Sequence, residues 1–215
     1  MRLTGILLAA GKSTRLGRNK LALAMPDGRT LAAWSLQAAL DSDLEQVICV
    51  VKPEDSLAWL PENMLLSSSN TYRREAKLQI ALSTAYSSGM AASLQSGLKA
   101  AKEYGAEGVV ILLADQPLIR AQDINQVSAA LAANKQSDYA AAADGEGGKP
   151  PVAFRSHMFE PLQSLGGDEG ARKIMHNDTY SGIRVTLPEF CFWDADTEVE
   201  LKRIMDYVSE SAHKN

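Results

Sequence analysis

Short apolar runs alternate with segments of helical periodicity along most of this chain, and this alternation limits the fold more than any other feature. The runs at residues 3–8, 47–51 and 109–114 are continuously apolar, which is typical of strands buried on both faces. Strands that alternate with helices form a parallel sheet with right-handed crossovers and helices on both faces. The sequence therefore predicts a three-layer α/β/α fold with a mostly parallel, Rossmann-like sheet, in a single domain over residues 1–215.

The same patterns predict the other elements. Helices are expected at residues 30–40, 90–103, 123–133, 155–165, 168–175 and 197–208. Further strands are expected at residues 78–82, 139–143 and 183–187. Residues 57–60 fit a short helix, and residues 145–151, with three glycines and two prolines, fit a mobile loop.

Composition excludes several classes of function. A formal net charge of −4 argues against a broad basic surface for nucleic acid. Two cysteines, Cys49 and Cys191, are too few for a disulfide scaffold or a thiolate zinc site, and the three histidines lack metal-ligand spacing. Any metal should therefore be a hard ion bound by oxygen. Since no apolar run reaches the roughly 18 residues of a membrane span, we expect a cytoplasmic protein without signal peptide or membrane anchor.

The segment after the first predicted strand, residues 8–20, reads LAAGKSTRLGRNK. Small residues let a backbone approach a phosphate, while Ser13, Arg15 and Lys20 add a hydroxyl donor and two cations. A Walker A loop is excluded because its first glycine would fall at Ile6, and the G-x-G-x-x-G pattern is absent. The segment predicts a triphosphate cradle; the alternative is an exposed basic loop.

One aspartate follows a predicted strand and two precede the last predicted helix, in positions suited to a metal. Asp115 ends the run at 109–114, where a carboxylate beside bound phosphates can hold Mg²⁺. A second carboxylate is then expected nearby, and Asp194 or Asp196 would supply it, since both share one face if the chain is extended there. The alternative for Asp196, or for Thr197, is the N-cap of the last helix.

Two further segments carry weaker signals. Residues 89–94 open the helix predicted at 90–103 with small residues, leaving room for a flat base near Ser93, although close helix packing explains them equally well. In residues 166–172, Asp168 and Arg172 lie at a predicted helix start, where an anion is favoured. The alternative there is that Asp168 caps the helix.

Taken together, these segments resemble the molybdenum cofactor cytidylyltransferases. That group lies within a wider family that includes the molybdenum cofactor guanylyltransferases and other glycosyltransferase-A-like nucleotidyltransferases. The match is collinear and rests on LAAGKSTRLGRNK (8–20), GMAASLQSGL (89–98), LLADQPLI (112–119), PPVAF (150–154), GGDEGAR (166–172) and DADT (194–197).

The resemblance implies a three-layer nucleotidyltransferase fold and Mg²⁺-dependent transfer of CMP from CTP to the terminal phosphate of molybdopterin or molybdenum cofactor, with release of pyrophosphate. Ala10 favours CTP, because the guanylyltransferases tend to carry glycine there. Asp115 and Asp196 would bind the metal, and Arg15, Lys20 and Asp115 would be catalytic. The implied nucleotide contacts are Leu8, Ala9, Ala10, Gly11, Ser13, Arg15, Lys20, Ser93 and Asp115, and the implied acceptor contacts are Gly167, Asp168 and Arg172.

Other functions remain open on sequence alone. The same fold could transfer a cytidylyl or guanylyl group to another phosphorylated acceptor, such as a sugar phosphate or an isoprenoid precursor. A non-catalytic carrier would bind mature molybdenum cofactor and pass it to a receiving molybdoenzyme of the xanthine dehydrogenase type. Release of pyrophosphate from a nucleoside triphosphate separates the enzyme from the carrier.

Overall fold

The computed structural model describes residues 1–11, 19–61, 77–145 and 147–212. Seven strands form one sheet in the order β3-β2-β1-β4-β6-β5-β7. The strands are β1 (Leu3–Leu8), β2 (Gln46–Val51), β3 (Leu78–Leu82), β4 (Gly108–Leu113), β5 (Tyr139–Ala143), β6 (Gly148–Arg155) and β7 (Gly182–Thr186). All neighbours pair in parallel except β6, which is antiparallel to both β4 and β5. The prediction of a mostly parallel sheet is confirmed.

Helices cover the two faces of the sheet. They are α1 (Leu31–Asp41), α2 (Met90–Tyr104), α3 (Ala121–Ala133), α4 (Phe159–Gln163), α5 (Arg172–Met175) and α6 (Glu198–Ala212). None of these described helices is both long enough and apolar enough to cross a bilayer.

The first strand shows why the layers form. Leu7 packs into a core cluster with Leu36 of α1 and Ile124 of α3, whereas Ile6 packs into a second cluster with Leu94 of α2. Successive side chains of a strand point to opposite faces, so a continuously apolar strand needs cover on both. The three-layer α/β/α prediction is confirmed.

Most predicted elements are confirmed within a few residues, but the short helix at 57–60 is wrong. The chain forms a turn there, in which the Leu57 carbonyl accepts from the Leu60 N–H at 2.8 Å. Leu57 has a left-handed backbone with φ of 55°. A non-glycine residue in that conformation interrupts a right-handed helix.

The loop predicted at 145–151 is also wrong over its second half, because β6 begins at Gly148. Gly148 and Lys149 pair with β5, and the register then shifts so that Val152 is the next paired residue. Pro150 and Pro151 therefore lie in the bulge, where no ladder hydrogen bond is required of them. Proline has no N–H to donate, and a bulge is one of the few sheet positions that accept it.

Two predicted helices are much shorter than expected. Arg155 ends β6, so the helix predicted at 155–165 reduces to the 3₁₀ turn Ser156–Met158 and α4. The helix predicted at 168–175 reduces to α5, which starts only at Arg172. Gly170 lies in the missing part and Gly167, just before it, has φ of 58°; glycine is unfavourable inside a helix.

Asp138 links β5, β6 and β7 near one end of the sheet. Its carboxylate accepts a hydrogen bond from the Ser181 N–H at 2.8 Å and lies 2.8 Å from His157 Nε2. Burial raises the pKa of Asp138, but these two hydrogen bonds lower it by more than burial raises it. The pKa therefore lies below its ordinary value. The ionised carboxylate therefore stabilises the folded chain.

Candidate functional site

The carboxyl ends of β1 and β4 lie side by side. Leu8 is paired in register with Leu113, and the Ala114 N–H donates to the Leu8 carbonyl at 3.1 Å. Residues 9–11, after β1, and Asp115, after β4, therefore leave the sheet at the same edge. In open α/β sheets this edge is where ligands bind.

Lys20 joins this edge to the segment before α6. Its Nζ lies 2.6 Å from Asp115 Oδ2 and 2.5 Å from Asp196 Oδ1. Only 8% of Lys20 is exposed, and Asn19 caps the 3₁₀ turn Lys20–Ala22 in which it lies. Three residues predicted from distant parts of the sequence are thus brought together.

The cluster holds more negative than positive charge among the described residues. Burial lowers the pKa of Lys20, but Asp115 and Asp196 raise it more, so the pKa is raised overall and the ammonium stays protonated. Burial and the charges of Asp115, Asp196 and Glu200 raise the pKa of Asp194 to about 6, against a lowering by Lys20. A further cation would relieve this repulsion between carboxylates.

The segment before α6 presents its carboxylates around one buried residue. Ala195 is fully buried in the core cluster beneath α6, while Asp194 and Asp196 on either side are partly exposed. Thr197 caps the helix, since its Oγ1 accepts from the Glu200 N–H at 3.3 Å. Of the two capping alternatives the structure has Thr197, which leaves the Asp196 carboxylate to Lys20.

Ser35, which sequence analysis missed, holds the backbone next to Asp115. Ser35 of α1 is buried, and its Oγ donates to the Ala114 carbonyl at 3.1 Å. The Gln116 N–H also donates to the Leu113 carbonyl, at 3.4 Å, so the backbone is fixed on both sides of Asp115. A serine among apolar residues on the buried side of α1 was the available signal.

A cavity of about 460 Å³ opens beside the cluster. Its lining includes five of the predicted nucleotide-binding residues and one predicted acceptor residue: Leu8, Ala10, Gly11, Ser93, Asp115 and Asp168. Ala9 does not line it, because its side chain is buried in the core with α1 and α3. Ser13 and Arg15 lie outside the described residues.

Ser93 lies at the buried end of this cavity, in the first turn of α2. Only 6% of Ser93 is exposed, and its Oγ donates to Ser83 Oγ at 3.3 Å. Ser83 directly follows β3, and no feature of the sequence marks it as a site residue. Tyr86, also missed, lines the cavity and donates a hydrogen bond to Glu54 through its hydroxyl.

The segments at 89–94 and 166–172 are in direct contact. Gly89 has φ of 114°, and a Cβ there would lie 2.2 Å from the carbonyl carbon and oxygen of Gly167. The Ala91 N–H donates to the Gly167 carbonyl at 3.1 Å. This contact brings Asp168 to the cavity rim, away from the α5 N-cap, which is Ala171. The capping alternative for Asp168 is therefore wrong.

Arg172, the other predicted acceptor residue of that segment, is exposed as the first residue of α5. It is not part of the lining of the cavity. The structure therefore brings Gly167 and Asp168 to the site more closely than Arg172.

The donor set at Asp115 and Asp196 fits a hard divalent cation. Both carboxylates form an ion pair with the same cation, the Lys20 ammonium. No three Asp, Glu, His or Cys side chains of the described residues are arranged as metal ligands. Mg²⁺ does not need such a cage, because it is commonly held by one or two carboxylates together with substrate phosphates and water.

Small residues and Asp115 lie at the strand ends of the sheet, and Lys20 and Asp196 lie beside them, which is the arrangement that the resemblance predicts for a nucleotidyltransferase. Residues 5–182 match the family described as the MobA-like NTP transferase domain. The chain belongs to this family.

Named relatives differ in their descriptions. The Purine catabolism protein PucB of Bacillus subtilis (strain 168) is 36% identical over 174 residues, which cover 80% of each chain. A probable molybdenum cofactor guanylyltransferase of Mycobacterium avium (strain 104) is 26% identical over 207 residues, 95% of each chain. These relatives agree with membership of the family, but their descriptions do not identify which nucleotide this chain uses.

Solved structures agree on the fold. The Mycobacterium sp. strain JC1 homologue of Rv0371c has a TM-score of 0.73 at 25% identity, covering 98% of this chain and 99% of that one. Rv0371c of Mycobacterium tuberculosis H37Rv in complex with manganese has a TM-score of 0.70 at 21% identity, covering 96% and 99%. Nearly the whole chain therefore shares its fold with these solved structures.

Proposed function

We propose that the protein transfers CMP from CTP to the terminal phosphate of molybdopterin or molybdenum cofactor and releases pyrophosphate. The observation that carries this proposal is the convergence of Lys20, Asp115 and Asp196 beside a cavity lined by Ala10 and Ser93. Membership of the MobA-like family and the guanylyltransferase description of one relative support the reaction type and the acceptor.

The reaction joins two anions. An oxygen of the acceptor phosphate attacks the α-phosphorus of CTP, the bond from that phosphorus to the β-phosphate oxygen breaks, and pyrophosphate leaves with the bonding electrons. The enzyme must therefore neutralise charge and hold the attacking and leaving oxygens in line. No covalent nucleophile of the protein is required.

The proposed roles follow from charge and position. Asp115 and Asp196 would hold Mg²⁺, which when bound would neutralise the phosphates of CTP. Lys20, with Arg15 from the segment outside the described residues, would contact the same phosphates. Ser13 would add a hydroxyl donor, and the small residues at 9–11 would let the nucleotide approach the backbone.

Ala10 supports CTP as the nucleotide. It is buried against the cavity that would receive the base, so its methyl group occupies space that a glycine would leave free. A pyrimidine needs less room than a purine. The guanylyltransferase relative makes GTP the competing nucleotide.

The acceptor would bind where the Gly89–Gly167 contact meets the cavity. Gly167 and Asp168 lie at this rim. Arg172, four residues after Asp168, would contact the outer part of the acceptor. The cofactor would then pass to a receiving molybdoenzyme of the xanthine dehydrogenase type. The single domain and the cytoplasmic location stay predictions.

Pyrophosphate release tests this proposal. The protein would be incubated with Mg²⁺, each nucleoside triphosphate in turn, and molybdopterin with or without molybdenum. We expect release with CTP only when the acceptor is present, and much slower release with GTP. Preference for GTP would overturn the choice of nucleotide, release without the pterin would overturn the acceptor, and absence of release with every combination would favour the carrier function.

A further inference from the structure

Lys20 has two roles that one side chain cannot fill at the same time. The proposed reaction gives it the phosphates of CTP, whereas its ammonium lies 2.6 Å from Asp115 Oδ2 and 2.5 Å from Asp196 Oδ1, and 8% of the residue is exposed. Those carboxylates are the ones assigned to the metal. The ammonium thus holds the place where a bridging cation would bind.

We propose that Lys20 is an exchangeable internal cation, which neutralises Asp115 and Asp196 in the free protein and moves to the nucleotide phosphates when a divalent cation takes its place. The inference rests on the proposed function, because it assumes that Asp115 and Asp196 hold the metal. It adds an order of events at this site and a second role for the lysine.

Distances make simultaneous occupancy unfavourable. Mg²⁺ prefers oxygen ligands at about 2.0–2.1 Å, so an ion held by Asp115 and Asp196 would compete with the Lys20 ammonium for the same carboxylate oxygens. Two cations at those oxygens would repel each other strongly in a partly buried site. The ammonium must leave for such an ion to enter.

The lysine can move without unfolding its surroundings. Leu21, the next residue, is buried in the core, and Asn19 caps the turn, so the backbone at Lys20 is anchored. The ammonium itself is a point charge on a flexible four-carbon chain. Rotation about the bonds of this side chain would move the charge away from the carboxylates while the backbone stays in place.

Exchange predicts positive coupling between metal and nucleotide. A metal alone must displace the ammonium into water, whereas with a nucleotide present the displaced ammonium gains a phosphate partner. Each ligand should therefore raise the affinity of the other, by the same factor. A lysine that stays on the carboxylates would give no such contribution.

Amine labelling followed by mass spectrometry tests the movement directly. Lys102, an exposed lysine of α2 that contacts Glu160 at 3.5 Å, gives the reference reactivity in the same sample. We expect Lys20 to label at least tenfold more slowly than Lys102 in the free protein, to approach Lys102 with Mn²⁺ alone, and to be protected again with Mn²⁺ and CTP. Protection of Lys20 that is unchanged by bound Mn²⁺ would overturn the exchange.

Mn²⁺ titration followed by electron paramagnetic resonance supplies a second readout. We expect Lys20→Met to bind Mn²⁺ on the order of tenfold more tightly than the wild type without nucleotide, and to show a smaller gain in Mn²⁺ affinity from CTP than the wild type shows. Lys102→Met, which removes one positive charge elsewhere, should leave both values unchanged. Equal or weaker Mn²⁺ binding by Lys20→Met would overturn the exchange.

The two proposals fail in different ways. If wild type binds Mn²⁺ and Asp115→Asn abolishes that binding, but Lys20 stays protected, the exchange is wrong and the metal site stands. If Lys20 is exchanged by Mn²⁺ but no nucleotide is turned over with molybdopterin, the transfer reaction is wrong and the exchange stands. If wild type binds no Mn²⁺, both are wrong.

Discussion

Replacing Gly89 with alanine tests the contact between residues 89–94 and residues 166–172, the segments proposed to bind the nucleotide and the acceptor. Gly89 combines a left-handed backbone, φ 114°, with direct backbone contact to Gly167. The substitution therefore adds conformational strain and also a steric clash. Gly145 offers a matched control, because it has φ of 106° and nothing within 4 Å of an added Cβ.

The two effects differ in magnitude. Strain from a non-glycine residue in this region costs about 1–3 kcal/mol, and Gly145→Ala should lose only that much stability. At Gly89 the added Cβ would lie 2.2 Å from Gly167 atoms, where ordinary contact begins at 3.4 Å, so the segment must shift by more than 1 Å. Overpacking of this kind costs about 1–3 kcal/mol more.

Urea denaturation of the two variants and the wild type measures this difference. We expect Gly89→Ala to lose about 1–3 kcal/mol more free energy of unfolding than Gly145→Ala. The Michaelis constant for molybdopterin should also rise in Gly89→Ala, since Asp168 moves with the displaced segment. Equal losses of stability in the two variants would refute the reasoning from backbone contact.

Three further variants test single contacts. Ser35→Ala should weaken Mn²⁺ binding at Asp115 several-fold. Its control is Ser42→Ala, which removes a buried hydrogen bond from a hydroxyl to a carbonyl at the other end of α1. Both variants should lose about 1–3 kcal/mol of stability, but Ser42→Ala should leave Mn²⁺ binding unchanged. Thr197→Ala should lower the free energy of unfolding by about 1 kcal/mol in urea denaturation, the usual value of an N-cap. Because the pKa of Asp138 is lowered in the folded state, its stabilisation is present above the unfolded pKa, about 3.9, and is lost as pH falls through the folded pKa. In thermal unfolding, Asp138→Asn should thus destabilise the protein at pH 7, and its difference from wild type should shrink as pH falls through the folded pKa.

The sheet could be predicted because apolar runs and their spacing report burial directly. The runs at 3–8 and 139–143 coincide with β1 and β5 at both ends, and nearly all of their residues are buried. Errors occurred where long-range pairing decides the outcome. Pro150 and Pro151 indicate a loop locally, yet they lie in a strand because a bulge against β5 accommodates them.

The members of the carboxylate and lysine cluster could be proposed from the sequence, but their contacts could not. Position at a strand end selected Asp115, the segment after the first strand supplied Lys20, and the family resemblance favoured Asp196 over Asp194. Spacing alone could not show that the Lys20 ammonium lies between the two carboxylates, since that depends on how the segment before α6 folds back over the sheet. Ser35 was missed for the same reason: its acceptor, the Ala114 carbonyl, belongs to a distant strand end.

The most direct test of the central claim compares pyrophosphate release by Asp115→Ala with that by wild type, using Mg²⁺, CTP and molybdopterin. Asp41→Ala, which removes an exposed carboxylate at the end of α1, is the matched control. We expect Asp115→Ala to lose a factor on the order of 10²–10³ in turnover, within the range typical for loss of one preorganised electrostatic group, while its thermal unfolding stays close to that of wild type. Turnover by Asp115→Ala equal to that of Asp41→Ala would contradict the assignment of the site.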